Sequence, residues 1–331
     1  MSPTRRTFLA TTAGFLATPA LAQGDPFKAA LERARSFDQL HSIIVTQRGE
    51  TRIAEAIRGT ALDRPANIKS VSKSIVATLT GIAIDKGAIS DVDATIDTIA
   101  PRLLPRTAEP ETANITVEDL ITLRAGLERT SGPNYGSWVS SQNWVANALG
   151  RPMIAKPGTR MLYSTGSTHI LGALLSEATG ESLLTLARRW LGAPLDIDIP
   201  AWTRDPQGFY LGGNEMAISP LAMTRFAEMI RQGGTWDGEQ IVSENWLQRS
   251  FIPVTRSPWS GLGYGYGWFL GNASGHSYAL ARGYGGQVIA IAPSLELSIT
   301  ITSDPTRPAR SGGYFGDLMG LIEGDVIAAL A

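Results

Sequence analysis

The chain has 331 residues, 43% of them hydrophobic, and a formal net charge of −1. That length suits one large domain or two interleaved ones, and the balanced charge, with no basic stripe, gives no footprint for nucleic acid. The absence of cysteine excludes disulfides, thiolate metal sites, a cysteine nucleophile and a lipidated N-terminal cysteine.

The N-terminus reads Ser2-Pro3-Thr4-Arg5-Arg6-Thr7-Phe8-Leu9. A twin arginine precedes an apolar stretch, and Pro19-Ala20-Leu21-Ala22 fits a small-x-small cleavage site. Residues 1–22 are therefore expected to be a twin-arginine-type signal peptide, and the remaining chain a periplasmic protein. The stretch is too short and too broken by Thr, Gly and Pro to span a bilayer. No later apolar run suggests a membrane span.

Asp25 to Arg35 reads as a helix. His41 to Gln47 is rich in β-branched residues, Arg48-Gly49-Glu50 is a turn, and Thr51 to Ile57 alternates as a returning strand, which together predict a hairpin. Ser70-Val71-Ser72-Lys73 then opens an apolar segment that runs to Lys86 and stops at Gly87. The spacing predicts a buried helix starting at Ser70. Residues at i and i+3 share a helix face, so the Lys73 amine lies over the Ser70 hydroxyl. A serine is a weak nucleophile until a neighbouring base takes its proton, and a desolvated lysine can be that base. Among the five lysines only Lys73 has a serine three residues before it. Taken alone, the pair also fits a capped helix start with a solvated lysine.

From 76 to 254 the pattern is mainly helical with long loops. Thr116 and Asp119 are spaced as a helix cap. Thr168 to Ala178, Ser182 to Trp190, Pro220 to Gly233 behind Ser219, and Asn245 to Phe251 read as helices. From 262 strands return: Tyr264 to Leu270, Ser277 to Ala281, and a hairpin of Gln287 to Ala292 with Leu295 to Thr302. Tyr314 to Leu330 reads as a closing helix.

Strands at both ends and helices between them predict an α+β fold. An antiparallel sheet built from residues 23–75 and 255–331 is flanked by terminal helices, and a mainly helical region, 76–254, is inserted.

Several segments, in order along nearly the whole chain after residue 22, resemble the class C β-lactamase-like serine hydrolases, which include esterases, penicillin-binding proteins, D-amino-acid peptidases and 6-aminohexanoate-dimer hydrolases. Ser70-Val71-Ser72-Lys73 resembles the family's Ser-x-x-Lys motif. Residues 115–122 with Gly126-Leu127 resemble the helix that leads to a Ser-Gly-Leu turn, with Arg124-Ala125 where Thr-Ser is usual. Tyr163-Ser164-Thr165 resembles the Tyr-x-Asn motif, with Thr165 in place of Asn. Ala281-Arg282-Gly283, followed by Tyr284-Gly285-Gly286, resembles the third motif, with Ala281-Arg282 where the family carries Lys-Thr or His-Thr before the glycine.

The resemblance implies an acyl-enzyme mechanism with Ser70 as nucleophile and Lys73 and Tyr163 as general base and acid, which of the two is the base being left open. It implies an oxyanion hole from the backbone N–H groups of Ser70 and Tyr284. Candidate substrate-binding residues are Thr165, Arg282, Gly283, Gly285, Gly286, and Tyr135 and Trp138 of an aromatic loop that also contains Trp144; Trp202 and Trp268 are further aromatic candidates. The Gly265-Tyr266-Gly267-Trp268 strand is assigned to the core, and His169 to packing. The departures at 165 and 282 point away from β-lactams and toward a small-molecule ester or small amide. A β-lactamase or D-amino-acid peptidase is the alternative, and a non-catalytic periplasmic binding protein is the alternative of another class. There is no Gly-x-Ser-x-Gly elbow, no metal-ligand cluster and no nucleotide-binding glycine loop, so neither metal nor cofactor is expected.

Overall fold

The structure is a computed structural model that describes residues 26–331. The export-signal reading of residues 1–22 lies outside the described residues. The α+β fold class is borne out. Eight strands form one antiparallel sheet: β1 (Leu40–Gln47), β2 (Glu50–Ala56), β3 (Thr255–Arg256), β4 (Gly263–Tyr264), β5 (Phe269–Ala273), β6 (His276–Gly283), β7 (Gln287–Ala292) and β8 (Leu297–Ser303). Their spatial order is β2-β1-β8-β7-β6-β5-β4-β3. The N-terminal hairpin joins the C-terminal strands through β1 and β8, with Ile44 opposite Thr300.

Helix α1 (Pro26–Ser36) and the C-terminal helix starting with α2 (Tyr314–Met319) cover one face of this sheet. On β7 every side chain is buried: Val288, Ala290 and Ala292 face the terminal helices, while Ile289 and Ile291 face the inserted region. A strand covered on both faces becomes an unbroken apolar run, which is why Gln287 to Ala292 shows little alternation.

The helix Ser72–Asp85 runs through the middle of the inserted region with twelve of its fourteen residues buried. Its two threonines are satisfied within the helix, Thr78 Oγ1 donating to the Ser74 carbonyl and Thr80 Oγ1 to that of Val76, while Ser74 Oγ donates across to the Gly267 carbonyl at 2.6 Å. The expected cap at Val117–Ile121 is a full capping box: Thr116 Oγ1 accepts from the Asp119 amide and Asp119 Oδ2 from the Thr116 amide, both at 3.0 Å.

Two local expectations are corrected. Ser70 does not open the α-helix; it sits in a 3-10 turn, Lys69–Val71, and the helix begins at Ser72. Lys69 has a φ of +49° and donates its amide to Asn67 Oδ1, which sets the chain in a tight turn before helical geometry takes over. Tyr264 to Leu270 is not one strand. Tyr264 pairs with Phe269 and Gly263 with Leu270, so residues 265–268 are the turn of a hairpin, closed by the Gly265 amide on the Trp268 carbonyl at 3.0 Å. Tyr266 and Trp268 are still core residues, because the turn folds inward against the helical region. Among the described residues no single helix is long and apolar enough to cross a membrane.

Candidate active site

The 3-10 turn puts Ser70 at the edge of a cavity of about 1020 Å³. The turn is tied down from behind. Lys69 Nζ pairs with Glu215 Oε1 at 2.9 Å, and Asn67 Nδ2 donates to Glu215 Oε2 at 2.6 Å. The end of β6 lies over it: a Cβ on Gly283 would stand 2.5 Å from the Ile68 carbonyl oxygen, so only glycine permits this approach.

One turn on, Lys73 is buried beneath the cavity. Its Nζ donates to the Gly213 carbonyl at 2.7 Å and lies 3.2 Å from Ser70 Oγ and 3.3 Å from Thr165 Oγ1. It has no carboxylate partner among the described residues, and burial brings its pKa down to about 7. A neutral amine has two N–H donors and one lone pair. With Gly213 and Thr165 as acceptors, the lone pair is left for the Ser70 proton.

Tyr163 meets the same serine. Its phenol lies close enough to Ser70 for the serine hydroxyl to favour the phenolate, and its ring centroid is 5.1 Å from Lys73 Nζ. Burial pushes the phenol up, against the neighbouring Ser70 hydroxyl and the Arg282 charge, which pull it down. Near neutral pH the phenol therefore keeps its proton while the amine can lose one. Thr165 is fixed by Ser131, whose Oγ accepts the Thr165 amide at 2.9 Å and lies 3.1 Å from its Oγ1.

Arg282 projects from β6 onto the cavity wall. Its guanidinium stacks 3.4 Å from the Phe315 ring centroid and donates to Ala309 O and Ser311 Oγ, each at 3.2 Å. The backbone amide of Tyr284 makes no hydrogen bond among the described residues, and the residue borders the cavity with its ring exposed at the mouth.

Seven of the candidate residues thus share one cavity: Ser70, Tyr135, Tyr163, Thr165, Arg282, Gly283 and Tyr284, with Lys73 below them. Three do not belong to its wall. Trp138 is fully buried, its indole N–H on the Trp144 carbonyl at 2.8 Å, because the aromatic loop packs inward as a Trp138–Trp144 cluster and presents only Tyr135. Gly285 and Gly286 turn away, facing Asp304 and the Tyr314 ring. Trp202 and Trp268 are likewise core.

Among the other wall or floor residues that escaped the motif reading are Arg129, Ser131, Gly213, Asn214, Glu215, Trp259 and Arg310. Asn214 Nδ2 donates to the Tyr135 hydroxyl at 2.9 Å, and Trp259 stands edge-on to Tyr163 with Arg129 over its face. The Gly212-Gly213 pair followed by Asn214 was the one local signal that marked a backbone turn there. No group of three or more metal-ligating side chains is found among the described residues.

A family model described as Beta-lactamase matches residues 41–314. The 6-aminohexanoate-dimer hydrolase of Paenarthrobacter ureafaciens is 23% identical over 234 residues, which is 66% of this chain and 58% of that protein. The match thus spans little more than half the length of this curated relative. A Bacillus anthracis structure, provisionally named as a 6-aminohexanoate-dimer hydrolase, superposes with a TM-score of 0.74 at 16% identity, covering 92% of this chain and 81% of that one. EstCE1, a hydrolase with promiscuous acyltransferase activity, gives a TM-score of 0.73 at 16% identity over 90% of this chain and 97% of that one. At such identities these structures establish the shared fold.

Proposed function

The chain belongs to the beta-lactamase family of serine hydrolases, and from that premise we propose that it cleaves a carboxylic ester or small amide through an acyl-enzyme on Ser70. The observation that carries this is the buried Lys73 amine, uncharged above about pH 7, set 3.2 Å from Ser70 Oγ with its N–H groups engaged elsewhere. In the proposed cycle Ser70 Oγ attacks the carbonyl carbon as its proton passes to Lys73. The oxyanion is held by the Ser70 and Tyr284 amides. Tyr163 then gives its proton to the leaving alkoxide or amine and recovers one from the Lys73 ammonium. Water, deprotonated through the same pair, releases the acid and restores Ser70. The directions of the two pKa shifts favour Lys73 as the base and Tyr163 as the acid, the pair titrating as a unit.

A second reading is a β-lactamase or D-amino-acid peptidase. It is favoured by one observation: Arg129, Arg282 and Arg310 line the cavity, and none has a carboxylate partner among the described residues. A substrate carboxylate fits such a wall. The proposed place of work is the periplasm, on the twin arginine of the sequence alone. The test is a panel on one preparation: p-nitrophenyl butyrate, a chromogenic cephalosporin, D-amino-acid amides and linear amide oligomers. The proposal expects turnover of the ester ahead of the cephalosporin. Cephalosporin turnover ahead of every ester and amide supports the second reading instead.

A further inference from the structure

We infer that His169, held in one tautomer by the buried carboxylate of Asp205 and out of contact with the substrate cavity, is a positioning residue that keeps the Gly213 carbonyl against Lys73. The inference rests on Lys73 being the base proposed above.

Both side chains are fully buried, with His169 Nε2 3.1 Å from Asp205 Oδ2. The other ring nitrogen, Nδ1, accepts the Gly212 amide at 3.3 Å. A nitrogen that accepts carries no proton, so this network assigns a neutral ring with its proton on Nε2, donated to Asp205. The second Asp205 oxygen, Oδ1, accepts the amides of Gln207 and Phe209, both at 2.9 Å. Trp138 and Trp144 stand edge-on to the imidazole, their centroids each 5.7 Å away. The ring has one orientation, and every polar atom of the pair is used.

Packing alone does not call for this arrangement. A buried carboxylate and imidazole contribute less to stability than apolar residues of the same volume, and they are costly if either partner is lost. What the pair does is fasten the 205–212 loop to the helix Thr165–Thr179 that carries Thr165. The next residue is Gly213. Its φ is +82°, and a Cβ there would stand 2.7 Å from Thr168 Cβ and 2.9 Å from Lys73 Cγ. The Gly213 carbonyl has no side chain of its own to locate it, so its place follows from the backbone on either side. Upstream, that backbone is pinned at Gly212 by His169. The connected path is Asp205, His169, the Gly212 amide, the Gly213 carbonyl and Lys73 Nζ, every link a hydrogen bond except the two-residue Gly212-Gly213 backbone.

The consequence for catalysis is directional. The carbonyl takes one N–H of the amine, Thr165 Oγ1 lies at the other, and the lone pair points to Ser70. A carbonyl that drifts lets the amine rotate off the serine. Substrate binding is untouched, because neither His169 nor Asp205 reaches the cavity.

Two variants separate the role from simple packing. H169Q keeps an N–H for Asp205 and lacks the acceptor for Gly212. H169N/D205N keeps an acceptor where Nδ1 stood and removes the buried charge. The expected result is that H169Q stays folded and loses roughly 10- to 100-fold in kcat with KM within about twofold, while H169N/D205N retains kcat within about threefold. A crystal structure of H169Q is expected to show Lys73 Nζ separated from the Gly213 carbonyl. The proposal is overturned if H169Q keeps full kcat, if both variants lose activity only in proportion to lost folded protein, or if the H169Q structure keeps the 2.7 Å contact. Ester turnover that Ser70→Ala leaves intact overturns the reading of the site instead, and the distance in the H169Q crystal still decides the positioning role.

Discussion

The Gly213 carbonyl accepts a hydrogen bond from Lys73 Nζ at 2.7 Å, across 140 residues of sequence. It is the shortest of the amine's three polar contacts, and it comes from a backbone group that no motif contains. The carbonyl orients the amine without adding a charge. A carboxylate in that place would hold Lys73 protonated and idle.

The pH profile follows from this. Lys73 sits at about 7 and the Tyr163 phenol above its ordinary value. Activity on a neutral ester is expected to rise through about pH 7 and to hold a plateau past pH 9. A profile of kcat against pH checks it, and an acid limb near pH 4 would assign the base to a carboxylate. The stability effect has a definite sign. The folded-state pKa of Lys73 lies below its unfolded value of 10.5, so between about 7 and 10.5 the unfolded chain binds more protons. Stability from this group therefore rises with pH across that window, and the cost of burying the charged amine is felt in full below it. Lys73→Met is expected to abolish activity and to raise Tm relative to wild type by more at pH 6 than at pH 9.

Tyr163→Phe removes the proton donor while keeping the ring against Trp259. The expected loss in kcat is about 10²- to 10⁴-fold, with little change in KM. Steady-state kinetics on p-nitrophenyl butyrate, with circular dichroism to establish folding, measure it. A variant within threefold of wild type would remove Tyr163 from the mechanism.

Gly213→Ala asks for a Cβ at a φ of +82° and within 3 Å of both Thr168 and Lys73. The backbone strain alone is of order 1–3 kcal/mol. A lower Tm and a loss of kcat larger than the lost folded fraction are expected, because the carbonyl must shift for the methyl to fit. Thermal melts beside active-site titration read the two effects separately.

How much of this was legible beforehand depends on the range of the interaction. Ser70 with Lys73, and Thr116 with Asp119, are three residues apart, so helical geometry alone brings them together. The sheet was readable because β7 and β8 are long and apolar enough to be strands in any context. Ser131, Gly213 and Glu215 reach the site only through the packing of distant loops, and nothing local marks them as lining it. Trp138 failed for the opposite reason. An aromatic-rich loop looks like a cavity wall, but Tyr135 and Trp138 pack edge-on one helical turn apart, and only Tyr135 reaches the cavity while Trp138 lies beneath it against Trp144 and His169. At Tyr264 to Leu270 the alternating aromatics imitate a strand, but Gly265 and Gly267, the latter at a φ of +79°, let the chain turn back as a hairpin.

Arg129 offers the cleanest test of substrate charge, since Arg282 also acts on Tyr163. Arg129→Ala is expected to raise KM about tenfold for a carboxylate-bearing amide and to leave KM for p-nitrophenyl butyrate nearly unchanged. Equal effects on both substrates would show that Arg129 serves to pack Trp259 and does not read charge.

The most direct measurement is p-nitrophenyl butyrate hydrolysis by the protein beside its Ser70→Ala variant, with both shown to be folded. The account predicts turnover by the wild type and a fall to the uncatalysed background in the variant, with no acyl adduct in its mass spectrum. Full activity in Ser70→Ala would contradict it, because a nucleophile other than Ser70 would then carry the reaction.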